Sequence, residues 1–201
     1  MVQDAKKCTH LAAPNILRTP KFVNALAYAP VIVNTSFVDQ CLAKSELVDP
    51  AKFSLRDGAA EIKFGISLEE VRLKARKNKN RLLRGYRISC VESIRGGFDT
   101  FKSIIEANGG VCTLFRGRVT MNEPRHEEPD KEEEHPEKDN VYLISGVSPD
   151  HVKVWPRFRQ MVQSIRKIPC IVHVNWLLDI AMSQEILWKD EYELNESMVE
   201  E

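Results

Sequence analysis

Several features by which protein classes are identified are missing from this sequence. No apolar run approaches the roughly 20 residues that a helix needs to cross a bilayer, so no membrane partner is expected. The first residues do not combine a basic start with an apolar run, so no secretory signal peptide is predicted. We therefore expect an intracellular protein of the nucleus or the cytosol.

Catalytic and metal-binding motifs are missing as well. The sequence has no GxSxG, P-loop or paired-carboxylate motif, so we expect no catalytic residues and no enzyme activity. Its five cysteines stand far apart without CxxC or CxxH spacing, and its five histidines form no metal set, so no metal or cofactor is predicted. We interpret the cysteines as buried, reduced thiols.

The charge of the chain is balanced in total but uneven along its length. Acidic and basic residues are equal in number, yet residues 121–139 contain nine acids and only three bases. The remainder is therefore basic, which suits an anionic partner. The loop 117–139 is expected to be disordered because its charge and prolines oppose core formation.

A repeat is the strongest positive feature of the sequence. The stretch Pro30–Phe37 aligns with Pro169–Trp176 at an offset of 139, and the register continues without a gap to Leu55 and Leu194. In each copy a proline precedes a short β-branched strand, and an aromatic residue lies in the first turn of the next helix. This pattern predicts one architecture used twice.

The second copy alternates predicted strands with predicted helices. Apolar periodicity and the Asn108-Gly-Gly110 stop signal place strands at 86–91, 111–115, 141–145 and 171–174, and helices at 98–108, roughly 151–166 and 175–184. Such alternation is typical of an α/β fold, here a small parallel four-stranded sheet flanked by helices.

The two copies are joined by a predicted helical linker. Ser67-Leu-Glu-Glu70 has capping-box spacing and begins a basic helix that continues to about Lys79. The boundaries predicted on this basis are 1–57 for the first repeat, 58–84 for the linker and 85–201 for the second repeat.

The first copy is shorter than the second. Residues 8–13 correspond to the third strand, 141–145, so the first strand and most of the first helix have no counterpart. Because an incomplete parallel sheet leaves backbone groups unpaired, we expect roughly 30 further residues in the natural protein.

An anion-binding motif lies in the first copy. Thr19 is a candidate helix N-cap, with Pro20 in the first helical position and Lys21 in the first turn. The Lys21 ammonium and the helix start favour an anion. Arg18 can donate two parallel hydrogen bonds to a carboxylate or a carbonyl.

These residues and several others carry a family resemblance. The second unit resembles a BRCT repeat through its glycine pair, 109–110, and Trp176, which Phe37 replaces in the first unit. The pair resembles a tandem BRCT module of DNA-damage scaffold and mediator proteins, on the stretches Thr9-His-Leu, Arg18-Thr-Pro-Lys-Phe-Val23 and Phe64-Gly-Ile-Ser-Leu-Glu-Glu70.

The resemblance implies roles for individual residues. Lys21 and Thr19 would bind a phosphate, and Arg18 would bind the main chain or terminal carboxylate three residues beyond a phosphoserine. Family members complete the pocket with a Ser/Thr-Gly pair on the first strand, for which this chain offers no residues. A specificity cleft between the repeats would involve Val23, Gly96 and Asn175, although Gly96 is also typical of a plain turn.

The predicted function is therefore phosphoserine-dependent binding of a protein C-terminal tail in the nucleus, with a damage-marked histone tail as the expected ligand. Other DNA-repair proteins are expected partners. An alternative is a BRCT scaffold that binds a folded repair or replication protein without phosphate. Direct DNA binding by the basic linker helix is a less favoured alternative, because no aromatic residues are interleaved with its charges.

Overall fold

The computed structural model describes residues 5–117 and 139–198 and divides the chain into two compact units. The first unit contains the described residues up to Leu82 together with Leu178–Ile186, and the second contains the remainder. The acidic segment 118–138, with its predicted disorder, lies outside the described residues. The predicted linker, 58–84, contributes residues 58–82 to the first unit.

The first unit is built on a pair of parallel strands. Strand β1 lies beside β2, with His10 opposite Val31 and Ala12 opposite Val33. The elements in chain order are β1 (His10–Ala12), α1 (Pro20–Leu26), β2 (Val31–Val33), α2 (Ser36–Lys44), α3 (Gly58–Phe64) and α4 (Leu68–Asn78), with a 3-10 turn at Pro50–Phe53. Its core includes Phe22, Leu26 and Phe37.

Helices α3 and α4 both begin at side-chain caps. The Asp57 carboxylate accepts a hydrogen bond from the backbone N–H of Ala60, and the Ser67 hydroxyl accepts one from Glu70 at 3.5 Å. The predicted capping position at Ser67 is confirmed. Helix α4 ends at Asn78, and the C-cap residue Lys79 has left-handed backbone angles.

The second unit contains a four-stranded parallel sheet in the order β4-β3-β5-β6. Its elements are β3 (Arg87–Val91), α5 (Phe98–Ala107), β4 (Val111–Phe115), β5 (Asn140–Ser145), α6 (Pro149–Val152), α7 (Trp155–Ser164), β6 (Ile168–His173) and α8 (Val174–Ser183). From Leu178 onward, α8 belongs to the first unit. The predicted parallel α/β fold with helical flanks is confirmed.

Two predicted boundaries in the second unit are wrong. The helix expected at roughly 151–166 is two helices, since Pro156 has no N–H to bond with Val152 and instead lies in the first turn of α7. The strand expected at 171–174 begins earlier, because Ile168 donates its N–H to the Asp139 carbonyl and extends the pairing with β5.

The repeat register is confirmed by the hydrogen bonds of the two units. An isolated antiparallel bridge joins Val33 to Ser54 in the first unit, and the equivalent bridge joins Val172 to Glu193 in the second. Both bridging residues of one unit are related to those of the other by the predicted offset of 139. The last extended segment therefore docks on the equivalent strand in both units.

Equivalent aromatic stacks support the same register. His10, opposite Val31, stacks on Phe37 at 5.3 Å between ring centroids. Tyr142, the equivalent residue opposite Cys170, stacks on Trp176 at 4.5 Å. The two described strands of the first unit are thus the counterparts of β5 and β6.

Candidate functional site

The Arg18-Thr-Pro-Lys21 motif lies at the start of α1, as predicted. Thr19 occupies the N-cap position with extended backbone angles, and its carbonyl accepts the N–H of Val23 at 3.0 Å. Within the described part of the chain, the Thr19 hydroxyl accepts no capping hydrogen bond. The side chain of an N-cap threonine ordinarily accepts a hydrogen bond from a backbone N–H in the first turn of the helix. Because the Thr19 hydroxyl does not, it is available to a ligand.

Lys21 points its charge away from the core. It is exposed, whereas the two residues that follow it, Phe22 and Val23, are buried in the first unit. The backbone is thus anchored by apolar packing directly after Lys21. The backbone of the motif is therefore held in place before an anion binds, and the freedom lost on binding is that of the Lys21 side chain.

Arg18 forms an ion pair with Asp179 of α8, both within the first unit. The guanidinium Nη2 donates to the Asp179 Oδ1, and both side chains are about three-quarters buried, with 27% and 28% of their surface exposed. A charge-assisted hydrogen bond in such surroundings sets the direction of the guanidinium plane. The motif therefore presents an oriented arginine.

The sequence did not reveal Asp179. It lies 161 residues from Arg18 along the chain, and its equivalent in the first copy is Gln40, so the repeat offered no sign of a carboxylate at this position. The general rule that a largely buried arginine needs an anionic partner applies to Arg18, but it does not identify which acid is the partner.

The loop that enters the site is fixed by a second carboxylate that the sequence did not reveal. The backbone N–H of Ile16 donates to the Asp57 Oδ2 at 3.0 Å. Ile16 is buried and precedes Arg18 by two residues. The other oxygen of Asp57 accepts the N–H of Ala60, so one carboxylate serves two segments of the first unit.

The three predicted specificity residues have different surroundings. Val23 is completely buried in the first unit, whereas Gly96 and Asn175 are exposed in the second. Gly96 has a φ of +105°, and a Cβ there would approach the Phe101 ring to 3.1 Å, so local conformation alone requires a glycine. A shared role of these residues in a cleft stays a prediction.

The equivalent position in the second unit is filled by an indole. Trp155 corresponds to Thr19 in the sequence motif but is the first residue of α7, with Val154 at the N-cap; it is completely buried and donates its Nε1–H to the Ser145 hydroxyl at 2.9 Å. Pro156 and the buried Phe158 match Pro20 and Phe22. The second unit therefore uses this helix start for packing.

The five cysteines differ in how deeply they are buried. Cys90 and Cys112 are buried with their sulfurs 3.4 Å apart, whereas the other three are half-buried, so the expectation of five buried thiols is only partly right. None of the five forms a disulfide bond. The hydrogen bond with Cys112 and, to a lesser extent, burial raise the pKa of the Cys90 thiol. The thiol therefore stays protonated and unreactive.

Metal-binding clusters and membrane-spanning helices were looked for in residues 5–117 and 139–198. No group of three or more His, Cys, Asp or Glu side chains there is arranged to bind a metal ion. No helix there is both long and apolar enough to cross a membrane.

Comparison with known proteins gives one matching family model and several relatives. The model of the Regulator of Ty1 transposition protein 107 BRCT domain matches residues 1–55. BRCT-containing protein 1 of Schizosaccharomyces pombe is 29% identical over 191 residues, which is 92% of this chain and 21% of that protein. PAX-interacting protein 1 of Bos taurus is 33% identical over 110 residues, which is 55% of this chain and 11% of that protein. The chain thus spans about a fifth of the first relative's length and less of the second's.

Solved structures with the same fold cover nearly the whole chain. The BRCT5-BRCT6 domains of S. pombe Brc1 match with a TM-score of 0.71 and 25% identity, over 99% of this chain and 88% of that one. The complex of Rtt107p with a phosphorylated histone matches with a TM-score of 0.63 and 18% identity, over 97% of this chain and 79% of that one.

Proposed function

Because this chain has the fold of a tandem BRCT module and is homologous to BRCT-containing DNA damage proteins, we propose that its first unit binds a phosphorylated protein tail. The observation that carries the proposal is the start of α1, where an exposed lysine and an uncommitted threonine hydroxyl follow an arginine oriented by Asp179. The chain is a protein-interaction module, and binding rather than catalysis is its activity.

Each residue of the motif has a defined part in this proposal. The Lys21 ammonium and the Thr19 hydroxyl bind the phosphate through charge-assisted hydrogen bonds. Arg18 binds the terminal carboxylate three residues beyond the phosphoserine. A guanidinium carries five N–H donors, so the pair with Asp179 still allows it to bind a carboxylate.

The proposed ligand is a phosphorylated histone tail at damaged DNA. Rtt107p, which shares the fold, has been solved in complex with a phosphorylated histone. The relative Mediator of DNA damage checkpoint protein 1 of Homo sapiens, 29% identical over 106 residues, supports a role in the DNA damage response. We infer a nuclear protein that attaches a genome-maintenance scaffold, and through it other repair proteins, to chromatin.

Three synthetic tail peptides test the proposal by isothermal titration calorimetry. One carries phosphoserine three residues before a free C-terminal carboxylate, the second lacks the phosphate, and the third ends in an amide. Loss of a hydrogen-bonded charge costs about 1.5–3 kcal/mol, so we expect the first peptide to bind at least about tenfold more tightly than either other.

Charge reversal at the site provides the matched variant. Lys21→Glu should remove the preference for phosphate, whereas Lys44→Glu, at an exposed lysine at the end of α2, should retain it. Equal affinities of the wild-type chain for phosphorylated and unphosphorylated peptides would contradict the proposal.

A second candidate function, phosphate-independent binding of a folded repair or replication protein, is favoured by exposed apolar residues of the first unit. Leu42 in α2 and the nearby Leu47 are 74% and 72% exposed. A partner on this surface would lose affinity with Leu42→Asp and keep it with Lys21→Glu. The opposite pattern in a pull-down with purified partner supports the phosphate-dependent function.

A further inference from the structure

Asp57 makes two hydrogen bonds that join distant parts of the first unit. Its Oδ1 accepts the N–H of Ala60 at 3.1 Å and caps α3. Its Oδ2 accepts the N–H of Ile16 at 3.0 Å, 41 residues earlier in the chain. The start of the helical linker is therefore bonded through this carboxylate to the loop between β1 and α1.

The bond to Ile16 restricts the path of the chain into α1. The loop is fixed at its start by the Ala13 N–H, which donates to the Val33 carbonyl at 3.0 Å, and then by Ile16. Ile16 is buried, so its N–H would be costly to leave unpaired. Arg18 and Thr19 follow within three residues, and the backbone has little slack between the anchor and the motif.

The second unit provides a comparison for this carboxylate. Glu196 is its equivalent at the repeat offset of 139. It accepts hydrogen bonds from the Arg159 side chain of α7 rather than from a backbone N–H. Each unit therefore has an acidic residue at this position of the repeat. Glu196 bonds to a side chain of α7, whereas Asp57 bonds to the backbone of the loop that leads to the anion-binding motif.

We propose that Asp57 is a positioning residue of the tail-binding site, which couples the start of the linker to the loop that carries Arg18 and Thr19. The proposal rests on the tail-binding function proposed above. With the Ile16 bond broken, Arg18 moves relative to Lys21, and the two can no longer bind the carboxylate and the phosphate of one peptide together. Affinity for the carboxylate-terminated peptide then falls more than affinity for the amide.

Asp57→Asn is the test variant, since it preserves size and leaves only one acceptor oxygen for two N–H donors. Asp49→Asn is the matched control, because Asp49 caps the 3-10 turn Pro50–Phe53 by accepting the Ala51 N–H at 3.0 Å. We expect Asp57→Asn to weaken binding of the carboxylate-terminated phosphopeptide about tenfold and to shrink its advantage over the amide-terminated peptide. Asp49→Asn should leave both values at the wild-type level.

Hydrogen exchange of the Ile16 amide gives an independent measurement, including on the wild-type chain if Asp57→Asn fails to fold. Saturating phosphopeptide should slow Ile16 exchange and leave Ala51 unchanged. Unaltered Ile16 exchange on peptide binding, or faster Ile16 exchange in Asp57→Asn with wild-type affinity and carboxylate preference, would overturn the positioning role. Failure of the tail-binding function is a different result: the wild-type chain would then not distinguish the phosphorylated peptide.

Discussion

The starts of α1 and α7 correspond in the sequences of the two units but differ in burial. Both have a proline in the first turn and a buried phenylalanine two residues later. The preceding residue is an exposed threonine in the first unit and a buried, hydrogen-bonded tryptophan, Trp155, in the second. Thr19 is the N-cap of α1, whereas Trp155 is the first residue of α7, so the indole adds to the stability of the second unit while the threonine side chain remains at the surface of the first.

The largest expected effect concerns the packing side of this comparison. Trp155→Ala should destabilise the second unit by about 3–5 kcal/mol, because it removes a completely buried indole and leaves the Ser145 hydroxyl without its donor. Urea denaturation measures the change. Trp188→Ala is the control, since Trp188 is 45% exposed, and a similar loss there would break the comparison.

The next prediction concerns the binding side. Arg157 stands at the position equivalent to Lys21 and is also exposed. Because the adjacent indole fills the second unit's helix start, Arg157→Glu should leave phosphopeptide affinity within about twofold of wild type, whereas Lys21→Glu should reduce it at least about tenfold. Calorimetric titrations of the two variants with the same phosphopeptide measure the difference. A large loss of affinity with Arg157→Glu would mean that the phosphate binds to the second unit instead of the first.

A smaller effect is expected from the partner of Arg18. Asp179→Asn removes the charge that orients the guanidinium but not the guanidinium itself. Affinity for the carboxylate-terminated phosphopeptide should fall about three- to tenfold, with the advantage over the amide-terminated peptide reduced. Glu185→Gln is a suitable control, as Glu185 pairs with Lys74 in the same unit. Stronger carboxylate preference in Asp179→Asn would mean that Asp179 competes with the ligand.

The smallest effect is a dependence of stability on pH in the second unit. The hydrogen bond from Arg159 lowers the pKa of the Glu196 carboxyl. A carboxyl whose pKa is lower in the folded state adds stability above its unfolded pKa and loses that stability as the pH falls through the folded pKa. Thermal midpoints from neutral to acidic pH should therefore decline slightly less in Glu196→Gln than in wild type. Because the pair lies largely at the surface, a large difference between the two proteins would contradict this assignment.

The repeat and most of the elements could be predicted because their signals are local. Strand β4 was predicted at its observed bounds, and α5 to within one residue, since apolar spacing and the glycine pair after Asn108 act over a few residues. The prediction of one long helix from about 151 to 166 failed because Pro156 was counted within the pattern rather than as a helix start.

In the candidate site, too, the residues with local signals could be predicted and those with long-range contacts could not. Thr19 and Lys21 were predicted correctly as an N-cap and a first-turn residue, because capping depends on adjacent residues. Asp57 and Asp179 were not predicted, because each acts on a residue that is distant in the chain. No periodicity or spacing rule connects such pairs.

By itself, the sequence determined the doubled α/β architecture, its register and the position of the basic motif, since β-branched strands, prolines, glycines and caps act within one or two turns of chain. Only the tertiary structure decided how the motif is presented. Asp179, which is 161 residues from Arg18 in the chain, orients its guanidinium. Asp57, which is 41 residues from Ile16, fixes the backbone that leads into α1. In the second unit, the buried side chain of Trp155 fills the start of α7. Ion pairs and burial depend on distance in space, which the order of residues along the chain does not specify.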